Sequence, residues 1–169
     1  ELIAFNYGLE HFEKVQVFRP HNIYGPDMGW KHVIPQFIVR AIKAIGHDSF
    51  GFEIQGDGSE TRAFCYVDDV VDGILKMYER GGHRQIYHIG NDHEIKIRDL
   101  VDMVGEIINV NLDIQAGPTA AGGTPRRCPD ISKMQKIGYA PQISIKDGLR
   151  RTADWYIENG GSVESKGLM

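Results

Sequence analysis

Gly56-Asp57-Gly58-Ser59-Glu60-Thr61-Arg62-Ala63-Phe64-Cys65-Tyr66-Val67-Asp68-Asp69 is the stretch on which the reading of this chain turns. Two glycines one residue apart supply the positive-φ positions of a tight turn. Residues 52–55 before them read as a strand. Residues 61–67 after them read as its return strand, with Ala63 and Cys65 alternating against Arg62 and Phe64, so a hairpin is expected. Asp68 or Asp69 then stands where a helix needs a side-chain acceptor for its first free N–H groups. That helix is expected to run to about residue 80, with Val70, Val71, Ile74, Leu75 and Tyr78 as its apolar stripe, and to stop at Gly81-Gly82.

Outward from this stretch, helices and strands interleave. Upstream, Leu2, Phe5, Leu9 and Phe12 are spaced three, four and three apart, which places them on one face of a helix over 1–14. No Ser, Thr, Asp or Asn precedes Leu2, so the numbered chain is expected to open inside an element; the alternative is a helix frayed at a free amine. A strand over 15–18 leads into Arg19-Pro20-His21-Asn22-Ile23-Tyr24-Gly25-Pro26, where two prolines and a glycine force an ordered, non-repetitive loop. A helix is expected over 34–45. Downstream come a strand over 86–89, a helix over 98–109, a short strand over 112–114 and a Gly/Pro-rich loop over 116–130. Two helices follow, over 131–137 and 146–158, the second closed by Gly160-Gly161, and the tail from 162 is expected to be disordered. The fold class is α/β, or α+β if the piece stands alone, with too few strands for a full doubly wound sheet.

Composition narrows the function. The chain has 169 residues, 41% hydrophobic and 25% charged, with a net charge of −4. That is enough to bury a core and too apolar for disorder throughout. A net negative chain with only scattered basic dipeptides is not expected to bind nucleic acid. No apolar run approaches the ~20 residues of a membrane span. Cys65 and Cys128 form no CxxC pair, so a disulfide framework or zinc ribbon is not expected and a reducing, cytoplasmic setting is. The seven histidines include no i, i+4 pair, and no metal site is expected. No glycine-rich phosphate loop, GxSxG elbow or HExxH appears.

Three segments carry polar groups out of apolar scaffolding. Asn22, between Pro20 and Pro26, can donate to a hydroxyl or phosphate; equally it can close a local turn. Arg62 offers a planar fork that suits phosphate, or it is a solvated surface charge. In Pro125-Arg126-Arg127-Cys128-Pro129-Asp130, Arg127 can meet a second phosphate. Asp130 can take the vicinal hydroxyls of a ribose, or cap the following helix. Together they point to a nucleoside diphosphate.

The strings RPHNIYGP, HVIPQFI, IQGDGSETRAFCYVDDVVDGI, YHIGN and PRRCPDISK, in this order and spacing, resemble the C-terminal half of extended short-chain dehydrogenases. These are the NAD-dependent nucleotide-sugar epimerases, 4,6-dehydratases and decarboxylases. The resemblance covers about residues 1–157. It implies a division into the last helix, strand and loop of an NAD-binding Rossmann domain (1–30), a nucleotide-sugar-binding lobe (31–161) and a tail (162–169). By position it implies that Asn22 contacts the sugar-phosphate, that His32, Val33 and Gln55 flank the base, and that Arg62 grips the diphosphate. Arg127 and Asp130 would hold phosphate and ribose, and Pro20 and His21 would lie near the nicotinamide. Gln55, at an often aromatic position, and His88, at an often Asn position, depart from the family pattern. The family's glycine-rich fingerprint and Tyr-x-x-x-Lys pair do not occur in these residues; the helix over 1–13 resembles the one that follows that lysine.

The reading implied is the nucleotide-sugar-binding portion of a UDP-glucose 4-epimerase-like enzyme, with no catalytic residue of its own, no turnover alone and no tight hold on NAD. Alternatives are part of a UDP-glucuronate decarboxylase or NDP-glucose 4,6-dehydratase, or a non-catalytic binding or assembly module. The implied partners are a UDP- or other NDP-sugar and a second copy in the parent dimer, with self-association through the 1–13 helix.

Overall fold

The computed structural model describes residues 1–119 and 122–159. Gly160-Gly161 and the tail from 162 lie outside the described residues. In chain order the elements are α1 (Leu2–Tyr7), β1 (Gln16–Pro20), β2 (Ile23–Tyr24), α2 (Val33–Ile42), β3 (Phe50–Gln55), β4 (Thr61–Ala63), β5 (Cys65–Tyr66) and α3 (Val67–Arg80). Then come β6 (Gln85–Ile89), β7 (Glu94–Lys96), α4 (Ile97–Ile108), β8 (Leu112–Gly117), β9 (Arg126–Arg127), α5 (Ser132–Gln135) and α6 (Ile145–Asn159). The class is mixed α/β with parallel strands. The chain forms two compact units, each assembled from three segments.

The first unit comprises Glu1–Ile23, Ala63–Glu94 and Cys128–Ile143. Its frame is the parallel pair β1 and β6, in register from Gln16 beside Gln85 to Pro20 beside Ile89. Parallel neighbours need a crossover, and α3 supplies it by packing on both strands. The core is Cys65, Val70, Met77, Tyr87, Ile89, Ile131, Met134 and Tyr139. Tyr139, 1% exposed, donates its hydroxyl to the Gly90 carbonyl at 2.9 Å and lies 3.4 Å from Cys65 Sγ. Burial pushes the Cys65 thiol up to about 11. Gly73 lets α3 approach closely, since a Cβ there would stand 2.8 Å from Ile89 Cγ2 and 2.9 Å from Tyr139 Cε2.

The second unit comprises Tyr24–Arg62, Ile95–Arg127 and Ser144–Met169, described to residue 159. Here β3 runs parallel to β8, from Phe50 beside Leu112 to Gln55 beside Gly117, and α2, α4 and α6 pack on one another. Ile34, Ile38, Phe52, Leu100, Val101, Leu149 and Tyr156 are fully buried. Phe37 meets Phe52 edge-on at 5.4 Å. Arg40 lies 3.9 Å over the Phe52 ring and donates to the Glu53 carbonyl at 2.6 Å, so its stem covers apolar surface.

Four local expectations are corrected. Gly56 and Gly58 do take positive φ (+65° and +78°), but they do not close a hairpin, because β3 pairs with β8. The chain beyond the turn is held by α4 instead: Ile97 N–H donates to the Glu60 carbonyl and Arg98 N–H to that of Gly58, both at 3.0 Å. The strand expected over 61–67 is interrupted at Phe64, between β4 and β5. Neither Asp68 nor Asp69 caps α3, which opens at Val67; Asp69, 6% exposed, accepts the backbone N–H groups of Gln142 (2.9 Å) and Ile143 (3.0 Å). The buried face of α3 carries Val70, Gly73 and Met77, leaving Val71, Leu75 and Tyr78 at 50–70% exposure on the neighbouring face.

The first helix is also shorter than the periodicity predicts. It ends at Tyr7, where Gly8 N–H returns to the Ala4 carbonyl and Val15 packs too closely on Gly8 for a side chain. Leu2, Leu9 and Phe12 stand at 59–80% exposure.

Candidate functional site

The expected site residues fall into two sets, one in each unit. In the second unit, β4 and β9 run parallel, which sets Thr61 beside Arg126 and Arg62 beside Arg127. Arg62 is half-buried. Its Nη1 donates to the Thr61 carbonyl at 2.7 Å and, more weakly, to that of Pro125 at 3.4 Å. Burial, and then the positive charge of Arg127, pull the Arg62 guanidinium below its ordinary value. A second guanidinium beside a partly desolvated one is unfavourable by itself and becomes favourable when an anion neutralises both. Thr61 N–H donates to the Pro125 carbonyl at 2.9 Å, which ties the Arg-bearing segments together.

Three further expected residues lie in the same unit. Gln55 is exposed at the end of β3, where the chain turns through Gly56. His32 occupies the position before α2 with extended backbone and no side-chain cap bond; its carbonyl accepts Gln36 N–H. Val33 is the first, half-buried residue of that helix. A cleft of about 960 Å³ opens elsewhere in this unit, between residues 45–48 and the C-terminal end of α4. It contains none of the expected residues, and Asp48, Asp102 and Glu106 on its rim disfavour a phosphate.

In the first unit, the expected residues gather at the carboxyl ends of β1 and β6. Ligands of open parallel sheets bind at this edge. Asn22 has φ +41°, a left-handed conformation that Asn tolerates better than most. Its Nδ2 donates to the Ala63 carbonyl at 2.9 Å and its own carbonyl accepts Cys65 N–H at 3.1 Å. Pro20 ends β1, exposed. His21 N–H donates to the Ile89 carbonyl at 3.0 Å. Asp130 is exposed; its Oδ1 accepts Ser132 N–H at 2.8 Å at the start of α5, and this hydrogen bond holds its carboxyl below the usual range. His88 faces His21 edge to edge, with His21 Nε2 and His88 Nδ1 2.6 Å apart, the ring centroids 4.9 Å apart and the planes 28° from parallel. Burial, then His88 and Arg19, lower His21 below its ordinary value. Arg19 in turn forms a two-point pair with Glu1, at 2.8 and 2.6 Å.

The histidine contact is the feature that sequence reasoning missed. Both residues drew notice singly, but they are 67 positions apart. Only the β1–β6 register, which sets Arg19 beside His88, brings them together. Among the described residues no three His, Cys, Asp or Glu side chains are grouped to hold a metal ion, and no helix is long and apolar enough to cross a membrane.

The fold has known counterparts. GDP-L-fucose synthase 1 of Arabidopsis thaliana is 31% identical over 157 residues, covering 90% of this chain and 49% of the relative. UDP-glucuronic acid decarboxylase 3 of the same plant is 32% identical over 152 residues, covering 88% and 43%. The solved structure of DesIV, the dTDP-glucose 4,6-dehydratase of Streptomyces venezuelae with NAD bound, superimposes with a TM-score of 0.79 at 30% identity, covering 95% of this chain and 49% of that one. The chain thus spans about half the length of the relatives it matches. The model of the NAD dependent epimerase/dehydratase family matches residues 1–90, more than half of the sequence, and the chain belongs to that family.

Proposed function

We propose that this chain supplies the nucleotide-sugar-binding portion of an NAD-dependent NDP-sugar epimerase of the UDP-glucose 4-epimerase type. The observation that carries the reading is the side-by-side pair of Arg62 and Arg127 on β4 and β9. Two guanidinium forks, one half-buried and lowered by burial and then by the charge of the other, match the two charges of a diphosphate. In the same unit, Gln55, His32 and Val33 flank the base. For the first unit taken by itself, the same reading gives Asn22 a contact to a sugar-phosphate, Asp130 one to a ribose, and His88 a place beside them. A diphosphate held this way fixes which sugar carbon is presented for reaction, so binding energy far from the chemistry positions it.

The chemistry that NAD would supply here is that of a hydride acceptor and donor. The residues present fit one rim of that cofactor: Pro20 and His21, at the carboxyl end of β1, would lie against the nicotinamide. A glycine-rich turn that cradles the pyrophosphate is not among these 169 residues. The chain by itself therefore holds NAD weakly and turns nothing over.

The second reading is part of a UDP-glucuronate decarboxylase or NDP-glucose 4,6-dehydratase. The relatives favour keeping it, since their names carry GDP-, UDP- and dTDP-sugars and three different reactions. A self-association follows from the apolar side chains left exposed in the first unit: Leu2, Ile3, Tyr7, Leu9, Phe12 and Phe18.

Calorimetric titration of the chain with UDP-glucose, UDP-glucuronate, dTDP-glucose and GDP-fucose tests the proposal. The 4-epimerase reading expects UDP-glucose to bind most tightly. Preference for UDP-glucuronate or dTDP-glucose moves the assignment to the second reading. Binding of none refutes both.

A further inference from the structure

The segment 25–32 of the second unit joins β2 to α2 without regular structure. Asp27 and Gly29 both take positive φ, +53° and +84°. A chain in these conformations closes no ladder or helical turn of its own, so its shape is fixed by what surrounds it. Among the described residues, side-chain hydrogen bonds reach this segment from two places. Gln36 Nε2, inside α2, donates to the Lys31 carbonyl at 3.1 Å. The Tyr156 hydroxyl, on α6 and 127 positions away, donates to the Gly29 carbonyl at 2.8 Å.

Tyr156 is a firm anchor. It is 0% exposed, on the buried face of α6 with Leu149 and Thr152. The start of that helix is fixed in turn: Ser144 Oγ accepts Asp147 N–H at 3.1 Å and donates to the Asp147 carboxylate at 2.6 Å. The Tyr156 ring meets Trp30 edge-on at 4.8 Å and Trp155 edge-on at the same distance. The residue that follows Gly29 is thus pressed on the tyrosine that bonds the Gly29 carbonyl. Burial, and then the negative charge of Asp27, push the Tyr156 hydroxyl up to about 12, so it keeps its proton and stays a donor through the neutral range. At the entry to the segment, Tyr24 donates more weakly to the Ile145 carbonyl, at 3.4 Å, where α6 begins.

The exit of the segment matters for binding. α2 opens at Val33, and no side chain caps its first N–H groups. Where His32 and Val33 stand therefore depends on the chain that delivers them, and that chain is tied at Gly29 and Trp30.

We propose that Tyr156 is a positioning residue for base recognition, its hydroxyl and ring holding Gly29 and Trp30 so that His32 and Val33 are presented to a nucleotide base. Being fully buried, Tyr156 acts through the segment and not by contact with the ligand. This role rests on the reading that His32 and Val33 flank the base.

Two variants test it from opposite sides. Tyr156→Phe keeps the ring and removes the donor. Gly29→Ala leaves α6 untouched; a Cβ there meets nothing within 4 Å, so its effect comes from the φ of +84° alone. The parent and both variants are titrated calorimetrically with UDP and with inorganic pyrophosphate, and their Tm is measured alongside. The two tryptophans of the chain both stand at this contact, so their emission reports on the segment. The parent is expected to bind UDP more tightly than pyrophosphate. Each variant is expected to weaken UDP about threefold to tenfold, as loss of one hydrogen bond or a strained backbone should. Pyrophosphate is expected to bind as before, because Arg62 and Arg127 are unaltered, and tryptophan emission to move to the red. A merely structural role would weaken UDP and pyrophosphate together, in step with Tm, and that result overturns the proposal. Variants that bind UDP as the parent does, or that leave the emission unchanged, overturn it as well. If pyrophosphate does not bind the parent, UDP weakened at an unchanged Tm supports the role, and UDP weakened only in step with Tm overturns it. A parent that binds UDP no better than pyrophosphate refutes the base reading itself, and the positioning role falls with it; that failure shows in the unaltered chain and is not confused with the others. Gly29→Ala decides if Tyr156→Phe does not fold.

Discussion

Gly73→Ala sets two known effects against each other. Alanine favours a helix interior over glycine by about 1 kcal/mol, so on local grounds the substitution stabilises α3. The packing opposes it. The added Cβ would fall 2.8 Å from Ile89 Cγ2 and 2.9 Å from Tyr139 Cε2, closer than packed carbons come. Neither neighbour is the yielding end of a long side chain. Ile89 is 0% exposed and its Cγ2 is fixed to a β-branch; Tyr139 is 1% exposed and its hydroxyl is anchored on Gly90. Overpacking of this kind costs about 1–3 kcal/mol, and two hard contacts belong in the upper half of that range. The net expectation is a loss of about 1–2 kcal/mol, or roughly 3–6 °C in Tm for a chain of this size. Urea denaturation followed by circular dichroism measures it. A variant as stable as the parent, or more so, would show that α3 does not press against β6 as described.

Further outcomes follow from the same contacts. Cys65, held near 11 by burial, should resist iodoacetamide at pH 8 in the folded chain and react at once in urea, read by mass spectrometry. Because its folded value lies above the unfolded one, the stability it contributes is intact below about pH 9 and is lost as pH climbs through about 11; stability that rises over that window would contradict the burial. Asp69→Ala leaves two backbone N–H groups without their acceptor and should cost about 2–3 kcal/mol, with Asp69→Asn costing less; an unchanged denaturation midpoint would sink that assignment. Leu2→Glu with Phe12→Glu should shift light scattering from associated species to monomer, whereas a parent chain that is already monomeric at high concentration removes the self-association.

The sequence disclosed elements more readily than their partners. The helices over 34–45, 98–109 and 146–158 were legible because their apolar residues recur at helical spacing, and α2, α4 and α6 lie there. The turn at Gly56 and Gly58 was legible because only positive φ explains two glycines so placed. What the turn connects was not, because a strand pattern does not say which strand lies beside it. Phe50–Gln55 finds its partner at Leu112–Gly117, over sixty residues away. The α3 stripe was misjudged because Val71, Leu75 and Tyr78 recur at helical spacing as well as Val70, Gly73 and Met77 do. Only the closeness of Gly73 to Ile89 and Tyr139 decides between the faces. The placement of Arg62 beside Arg127 depends on two short strands that carry no alternation to speak of. The histidine pair depends wholly on register.

The central claim is that Arg62 and Arg127 together receive a diphosphate. Its most direct test is a comparison of UDP and UMP binding to the parent chain, Arg62→Ala, Arg127→Ala and the double variant, by calorimetry at fixed salt. The account predicts that UDP binds the parent more tightly than UMP. It predicts that each single substitution weakens UDP by about tenfold or more, as loss of a charged hydrogen-bonded contact should. The two effects should be non-additive, because the arginines share one ligand group. UDP and UMP bound alike, or substitutions that change neither, would contradict it.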